Sequence, residues 1–180
     1  MKATALLEKQ HRKVEGIFKK LEEGKGDGGA QVIELANDLA AHMAIEQQIF
    51  YPAIREIDPD LVAKSYQEHA VAELALKRLL ATSPQDDTFK AKVTTLKELI
   101  EHHVDEEEDE LFPAVEKAAG DDVLNDLGKR MKVMFDEAVL QGFEKLVPKG
   151  MGTTSADESN KAPKKQRATN GESAARRPTR

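Results

Sequence analysis

Apolar residues recur at intervals of three or four along most of the chain, which is the spacing that places them on one face of an α-helix. In the first segment, about 3–23, the apolar face carries Leu7, Val14 and Phe18, and the glycine-rich run 24–29 then interrupts it. Four more segments share this period, at about 30–57, 59–81, 86–119 and 122–145. The pattern predicts an all-α protein, with four long helices in an up-and-down bundle and a fifth helix packed against it.

Two dipeptides predict where helices begin. Asp58-Pro59 and Ser83-Pro84 each combine a capping side chain with a proline suited to the first helical position. We therefore expect the third helix to begin at Pro59 and the fourth at about Asp86. Nothing in the fifth segment predicts a break before Lys145.

Charge divides the chain into two parts. Residues 148–180 hold eight basic and three acidic side chains, a net charge of +5, and no Leu, Ile, Val or aromatic residue. Residues 1–147 hold the other 19 basic and 30 acidic side chains, a net charge of −11. The composition predicts one helical domain over 1–147 and a disordered basic tail over 148–180. The tail is interpreted as solubilising, with docking to nucleic acid as the alternative.

The residues that are absent also limit the chemistry. The sequence has no cysteine, which excludes disulfides, thiolate-bound zinc, iron–sulfur clusters and thiol nucleophiles. It has no secretory leader and no apolar run of 18 residues, so we expect a soluble, cytoplasmic protein without membrane contact. Histidine and carboxylate side chains must therefore provide the chemistry of any site.

The histidines follow the helical pattern. Four of the five lie on the apolar faces of four different helices, so the bundle should direct them at one shared axis: His11, His42, His69 and His103. The fifth, His102, is rotated by about 100° from His103 along a helix and is interpreted as solvated.

Two helices carry the same short motif. Glu46 follows His42, and Glu107 follows His103, by four residues, which places each pair on one helix face, and a proline stands ten residues after each histidine. Glu73 follows His69 by four and adds a seventh candidate ligand. Buried carboxylates need a positive partner, and a pair of metal ions would supply it. Oxygen and imidazole ligands without thiolate favour iron, then manganese, then zinc.

These motifs resemble the hemerythrin-like, HHE cation-binding family over residues 1–147. The resemblance implies a bundle that holds two non-haem iron ions, with a bridging oxo or hydroxo group. It implies that Glu46 and Glu107 bridge the ions. The resemblance implies six ligands, and Glu73 is not among them: His11, His42, Glu46, His69, His103 and Glu107.

The sequence also departs from the family pattern. Oxygen-carrying members have a second histidine where this chain has Glu73, and their last carboxylate follows its histidine by five residues, a spacing that His102 and Glu107 would satisfy. A carboxylate at position 73 favours ferric iron and makes simple oxygen carriage less suitable. The iron–sulfur repair branch carries an N-terminal cysteine, which this chain lacks.

Three functions stay open at this point. The first is capture or sensing of dioxygen, nitric oxide or peroxide at an open iron position. The second is a peroxide-consuming or oxidase-like enzyme, suggested by Glu73 and by a Tyr66 phenol placed one turn before His69. The third is an iron-handling stress protein docked to nucleic acid by its tail. We expect a monomer or a weak homodimer.

Overall fold

The computed structural model describes residues 1–146, and these form a helical bundle without strands. Two π-helical turns, Glu46–Phe50 and Glu107–Leu111, continue α2 into α3 and α5 into α6. The helices are α1 (Ala3–Glu22), α2 (Gly28–Ile45), α3 (Tyr51–Ile54), α4 (Pro59–Leu80), α5 (Phe89–Glu106), α6 (Phe112–Ala118), α7 (Asp121–Gln141) and α8 (Phe143–Leu146). The four rods α1, α2–α3, α4 and α5–α6 form the bundle and α7 packs on α1 and α2, which confirms the all-α prediction. The predicted tail, 148–180, lies outside the described residues.

Aspartate side chains cap two of the bundle helices. Asp27 Oδ1 accepts hydrogen bonds from the backbone N–H groups of Gly29 and Ala30, at 2.9 and 3.1 Å, where α2 begins. Asp58 Oδ1 accepts from the N–H of Leu61 at 3.0 Å, directly before Pro59. The predicted start of the third helix is thus confirmed.

The fourth bundle helix begins later than the predicted start at about Asp86. Residues 84–88 form turns, and α5 begins at Phe89. Asp86 Oδ1 accepts hydrogen bonds from the backbone N–H and the hydroxyl of Thr88, at 2.7 and 2.6 Å. A side chain that bonds its own neighbours in this way favours a turn over a helix.

The fifth predicted helix also breaks earlier than expected. α7 ends at Gln141 because Gly142 adopts a φ of 79°, a left-handed conformation that suits glycine. The N–H of Phe143 then donates to Asn37 Oδ1 at 2.9 Å, which ties α8 to α2. At its other end α7 lies against the N-terminus so closely that a Cβ on Gly128 would be 2.3 Å from the carbonyl oxygen of Met1.

The apolar core consists of two clusters with a polar layer between them. One cluster includes Phe18, Leu35 and Leu96. The other, at the opposite end of the bundle, includes Leu7 and Leu124. Buried histidine and glutamate side chains occupy the level between the clusters, so both apolar ends shield this layer from water.

Candidate metal centre

The bundle brings four histidines together at one level, one from each rod. Their side chains are all buried, and their Nε2 atoms meet in two pairs. His11 and His42 form the first pair, with 3.2 Å between the Nε2 atoms. His69 and His103 form the second pair at 3.0 Å. The helix faces predicted from the sequence therefore converge on a shared axis.

Two buried glutamates connect these pairs. Glu46 Oε2 lies 3.2 Å from the Nε2 of His42 and 3.3 Å from that of His69. Glu107 Oε2 lies 3.5 Å from the Nε2 of His11 and 3.7 Å from that of His103. Each carboxylate thus faces one histidine of either pair. Two bridging carboxylates between two metal positions would have this arrangement.

Each glutamate opens a π-helical turn. The N–H of Tyr51 bonds the carbonyl oxygen of Glu46, five residues earlier, and the N–H of Phe112 bonds that of Glu107. Pro52 and Pro113 follow directly, and a proline cannot donate to the carbonyl four residues before it. The wider turn accommodates the proline without ending the rod, and such turns are frequent at functional sites.

The Nδ1 atoms of the four histidines, which point away from the centre, also have partners. These partners stand at matching positions in the two halves of the chain. The residues just before His11 and His69 contact the histidines of the two motifs: Gln10 lies 2.8 Å from Nδ1 of His42, and Glu68 lies 2.9 Å from Nδ1 of His103.

The residues just after the two glutamates serve the other two histidines. Glu108 lies 2.7 Å from Nδ1 of His11, and the amide of Gln47 lies 3.0 Å from Nδ1 of His69. Each histidine pair therefore has one carboxylate and one amide partner. Gln10, Glu68 and Glu108 present oxygens, which can accept the ring N–H as outer partners of metal-bound histidines do. Gln47 differs, because the atom that faces His69 is its amide nitrogen, a donor.

A tyrosine that the sequence did not single out lies in the centre. Tyr51 is fully buried, and its hydroxyl donates to Glu107 Oε1 at 2.9 Å. The same oxygen lies 3.3 Å from the Nε2 of His69 and 3.5 Å from that of His103. Tyr51 stands nine residues after His42, the position that Phe112 holds after His103.

Three other residues considered from the sequence lie outside the centre. Glu73 is half-buried and belongs to none of the groups of ligand atoms that lie within 4.8 Å of one another. His102 is 64% exposed, and its Nε2 lies near Glu68 and Glu106 instead. The hydroxyl of Tyr66 donates to the carbonyl oxygen of Gln47 at 3.1 Å, so Tyr51 is the phenol that faces the ligands.

Burial and the neighbouring charges shift the pKa values of the two glutamates in opposite directions. Burial and the charge of Glu107 raise the pKa of Glu46 well above its usual value. The pKa of Glu107 is low, about 2, because contacts with His11, His103 and His42 outweigh its burial. Burial lowers the pKa of His69 to about 3 and that of His42 well below its usual value, so both are neutral, as metal binding requires.

The polar layer fits metal ions because its inner carboxylate oxygens lack hydrogen-bond donors. Glu46 Oε1, Glu46 Oε2 and Glu107 Oε2 are buried and accept no hydrogen bond from residues 1–146. In the first pair, Nδ1 of each ring faces an oxygen, so neutral rings that donate through Nδ1 turn two Nε2 lone pairs towards each other at 3.2 Å. A cation at this place would remove both costs.

An apolar cavity of about 10 Å³ lies against the four histidines, on the side of the first core cluster. The walls beyond the imidazole rings are hydrocarbon, and they include Val14, Ile100 and Val104. The same three residues and His11 also line a surface cleft of about 230 Å³ between α1 and α5. The centre therefore borders this cleft through three aliphatic side chains and one of its own histidines.

Comparison with known proteins identifies the family. Residues 2–115 match the model of the hemerythrin HHE cation binding domain, so the chain belongs to this family. The crystal structure of a hemerythrin HHE cation binding domain-containing protein from Mycobacterium kansasii is 27% identical, with a TM-score of 0.72, and covers 83% of this chain and 94% of that one. The family and the two clusters of His and Glu ligands establish a cation-binding domain.

A curated protein also matches over part of the chain. A protein named DNA nickase, from Nostoc sp. (strain PCC 7120), is 29% identical over 108 residues. The match covers 58% of this chain and 31% of that protein, so the chain spans about a third of the relative's length. Within residues 1–146, no helix is both long enough and apolar enough to cross a membrane.

Proposed function

We propose that this domain binds two non-haem iron ions and takes up a small ligand, namely dioxygen, nitric oxide or peroxide, beside them. The observation that carries the proposal is the placement of Glu46 Oε2 and Glu107 Oε2, each between one histidine of either pair. His11 and His42 would hold one ion, and His69 and His103 the other.

The ligand set favours iron over zinc. The first position has two imidazoles and two carboxylates within reach, and the second has two imidazoles and Glu46. Structural zinc sites are closed by four ligands, whereas iron takes six and keeps positions for exchangeable groups. When bound, two iron ions supply open coordination positions and electrons for a small ligand.

The surroundings of the centre favour a small ligand. The adjoining cavity, of about 10 Å³, has room for no more than about one water-sized molecule. Its aliphatic walls exclude bulk water and favour an uncharged molecule over an ion. On the opposite side, the oxygen of the Tyr51 hydroxyl, which donates to Glu107, lies near the second histidine pair and can accept a hydrogen bond there.

Metal content and visible absorption test this proposal. Protein expressed with excess iron should contain two ions per chain and absorb in the visible range, and azide or nitric oxide should change that spectrum. His103→Ala should lose this metal, whereas His102→Ala is the matched control because His102 is 64% exposed and His103 only 5%. A spectrum that ignores azide, nitric oxide, dioxygen and peroxide would refute the ligand-binding function.

A second candidate is an enzyme that consumes peroxide, and Tyr51 is the observation that favours it. Its buried hydroxyl donates a hydrogen bond to Glu107 and can relay a proton between Glu107 and a molecule bound beside it. Iron-loaded protein should then degrade hydrogen peroxide, and Glu46→Ala and Glu107→Ala should abolish the turnover. Tyr66→Phe is the control, since its hydroxyl bonds a backbone carbonyl outside the centre. Equal rates in all variants would exclude this activity.

The tail hypothesis concerns residues 148–180 and stays a prediction. Their net charge of +5 is its basis, and the similarity to a protein named DNA nickase adds a reason to test it. Full-length protein should bind DNA more weakly as salt rises, and a chain ending at residue 147 should not bind. Binding that survives the deletion would exclude the tail as the contact.

A further inference from the structure

A groove with mostly hydrocarbon walls runs along the outer surface of α4 and α5. Its volume is about 480 Å³, and its lining residues belong to these two helices and to Thr88, directly before α5. The helix α7 packs against α1 and α2 and does not line it. The side chains of the metal centre do not line it either. The α4/α5 groove is thus a feature separate from the metal centre.

Apolar side chains are exposed along most of this groove. Val71 is 51% exposed and Leu74 is 37% exposed, although both are large hydrocarbon side chains. Leu99 is half-buried and lines the groove from α5. Removing such carbons from water is favourable, so a ligand with a hydrocarbon part would be stabilised here.

The end of the groove next to the 81–88 connection is basic. Arg78 lies in the last turn of α4, and Lys92 lies three residues after α5 begins. The Nζ atom of Lys92 donates to the hydroxyl of Thr82 at 2.6 Å, and this hydroxyl donates to the carbonyl oxygen of Arg78 at 2.7 Å. These bonds hold the Lys92 ammonium at the end of α4 that carries Arg78.

Neither cation is paired with a carboxylate of residues 1–146. The guanidinium of Arg78 forms no hydrogen bond or ion pair there, and the contact of Lys92 is the neutral hydroxyl of Thr82. The charge of Lys92 reaches Asp86, but Oδ1 of that carboxylate accepts hydrogen bonds from Thr88. In a domain whose net charge is −11, two such cations beside hydrocarbon favour an anionic ligand.

The dimensions of the groove fit a small molecule better than a partner protein. Small-molecule pockets usually enclose about 300–1,000 Å³. From Arg78 to Val71 on α4, and from Thr88 to Leu99 on α5, the groove extends about 10–16 Å at about 1.5 Å per helical residue. A partner helix is itself about 10–12 Å wide and would need a longer face. The groove instead has the length of one extended acyl chain, from octanoate to dodecanoate.

We propose that the α4/α5 groove binds one free medium-chain fatty acid. Arg78 and Lys92 bind its carboxylate, and its hydrocarbon chain lies on Val71, Leu74 and Leu99. The confinement of the cations to one end of an apolar groove carries this assignment, because a fatty acid has its charge at one end only. The binding is non-covalent and does not depend on the metal ions.

Calorimetric titration of the full-length protein with fatty acids, below their micelle-forming concentrations, tests the proposal. One molecule should bind per chain. Each methylene added between butanoate and decanoate should tighten binding by up to about fourfold, the gain for one fully buried methylene, and the gain should end beyond dodecanoate. Decanol should bind at least about tenfold more weakly than decanoate because it lacks the charge.

Substitutions separate the two parts of the groove. Arg78→Gln should weaken decanoate binding at least about tenfold and leave decanol binding unchanged. Leu74→Asn should weaken the binding of both molecules. Lys90→Gln is the matched control, because Lys90 is exposed on α5 but does not line the groove. Circular dichroism of each variant, with an unchanged melting temperature, would show that the bundle is folded.

A decanoate with a photoreactive diazirine at its last carbon tests the location. It should label α4 or α5 near Val71 and Leu99. Labelling elsewhere, equal affinity for decanoate and decanol, or equal effects of Arg78→Gln and Lys90→Gln would overturn the proposal.

Two other occupants of the groove would also overturn it. Binding to vesicles of anionic phospholipid without binding of free fatty acid would assign the groove to a membrane surface. Self-association that Leu74→Asn abolishes, again without fatty-acid binding, would assign it to a second copy of the chain. All these measurements can be made on metal-free protein, so their outcome is independent of the proposed function.

Discussion

Glu46 and Glu107 occupy corresponding places in the repeat, yet replacing them should change the stability of the metal-free protein in opposite directions. Glu46 is fully buried, and both its oxygens lack a hydrogen-bond donor within residues 1–146. Glu107 accepts a hydrogen bond from Tyr51 and lies near His11 and His103. Burial thus disfavours the charge of Glu46, whereas its neighbours favour the charge of Glu107.

The magnitudes follow from these surroundings. A buried polar group without a partner costs about 1–3 kcal/mol, so Glu46→Gln should raise the free energy of unfolding of the metal-free protein by about that amount. The added amide can donate to the Nε2 of His42 or His69, which lie 3.2 and 3.3 Å from Glu46 Oε2. Glu107→Gln keeps an acceptor for Tyr51 but loses its charge, and should lower the free energy of unfolding by about 1 kcal/mol.

Thermal unfolding at pH 7, with and without metal, measures both effects. In a chain of this size 1 kcal/mol shifts the melting temperature by about 2–4 °C. A metal ion at 100 times its dissociation constant stabilises the wild type by about 2.7 kcal/mol, and both variants should lose this gain because each removes a bridging anion. If Glu46→Gln destabilises the metal-free protein as much as Glu107→Gln does, the inferred difference between the two carboxylates is wrong.

Three further predictions concern pH and the scaffold. The pKa of His69 falls from 6.5 in the unfolded chain to about 3 in the folded protein, so the unfolded chain binds a proton first as the pH falls. The contribution of neutral His69 to the free energy of unfolding is therefore complete above pH 6.5 and is lost as the pH falls towards 3. Urea unfolding should show that the metal-free wild type loses stability relative to His69→Gln over this range. Asp27→Ala removes the cap of α2 and should cost about 1 kcal/mol in urea unfolding without changing metal content. Gly128→Ala forces a Cβ within 2.3 Å of the Met1 carbonyl oxygen and should cost about 1–3 kcal/mol, whereas Gly16→Ala, with open space at its Cβ, should not destabilise α1.

The sequence predicts the bundle and the inward placement of six histidine and glutamate side chains well because both depend on a short, regular period. A residue four positions after a histidine shares its face in any α-helix, so Glu46 and Glu107 follow directly from the pattern. The π-helical turns could not be predicted in this way. A proline within a helical pattern usually indicates a kink or an end of the helix, whereas the structure widens one turn before Pro52 and before Pro113.

Contacts between rods were the other feature that the sequence could not supply. Gln10, Gln47, Glu68 and Glu108 contact histidines on other helices, across 22 to 97 residues of chain. No local period relates such residues. One signal was nevertheless present, because all four stand directly beside a predicted ligand in the chain. Adjacent positions on a helix differ by about 100°, so a neighbour of an inward ligand lies at the boundary with the next rod.

The wrong choice of tyrosine has the same geometric origin. In a regular α-helix a residue nine positions after His42 would point about 180° away from it, so the helical period alone places Tyr51 on the outer face. The π-helical turn adds one residue and turns the following residues back by about 100°, so that Tyr51 lies on the side of Glu46 and His42. Phe112 is turned inward in the same way after Glu107. The turn therefore does more than accommodate a proline, because it places the residue before that proline at the metal centre. The identity of that residue, tyrosine in one motif and phenylalanine in the other, then decides which half of the centre receives a hydroxyl.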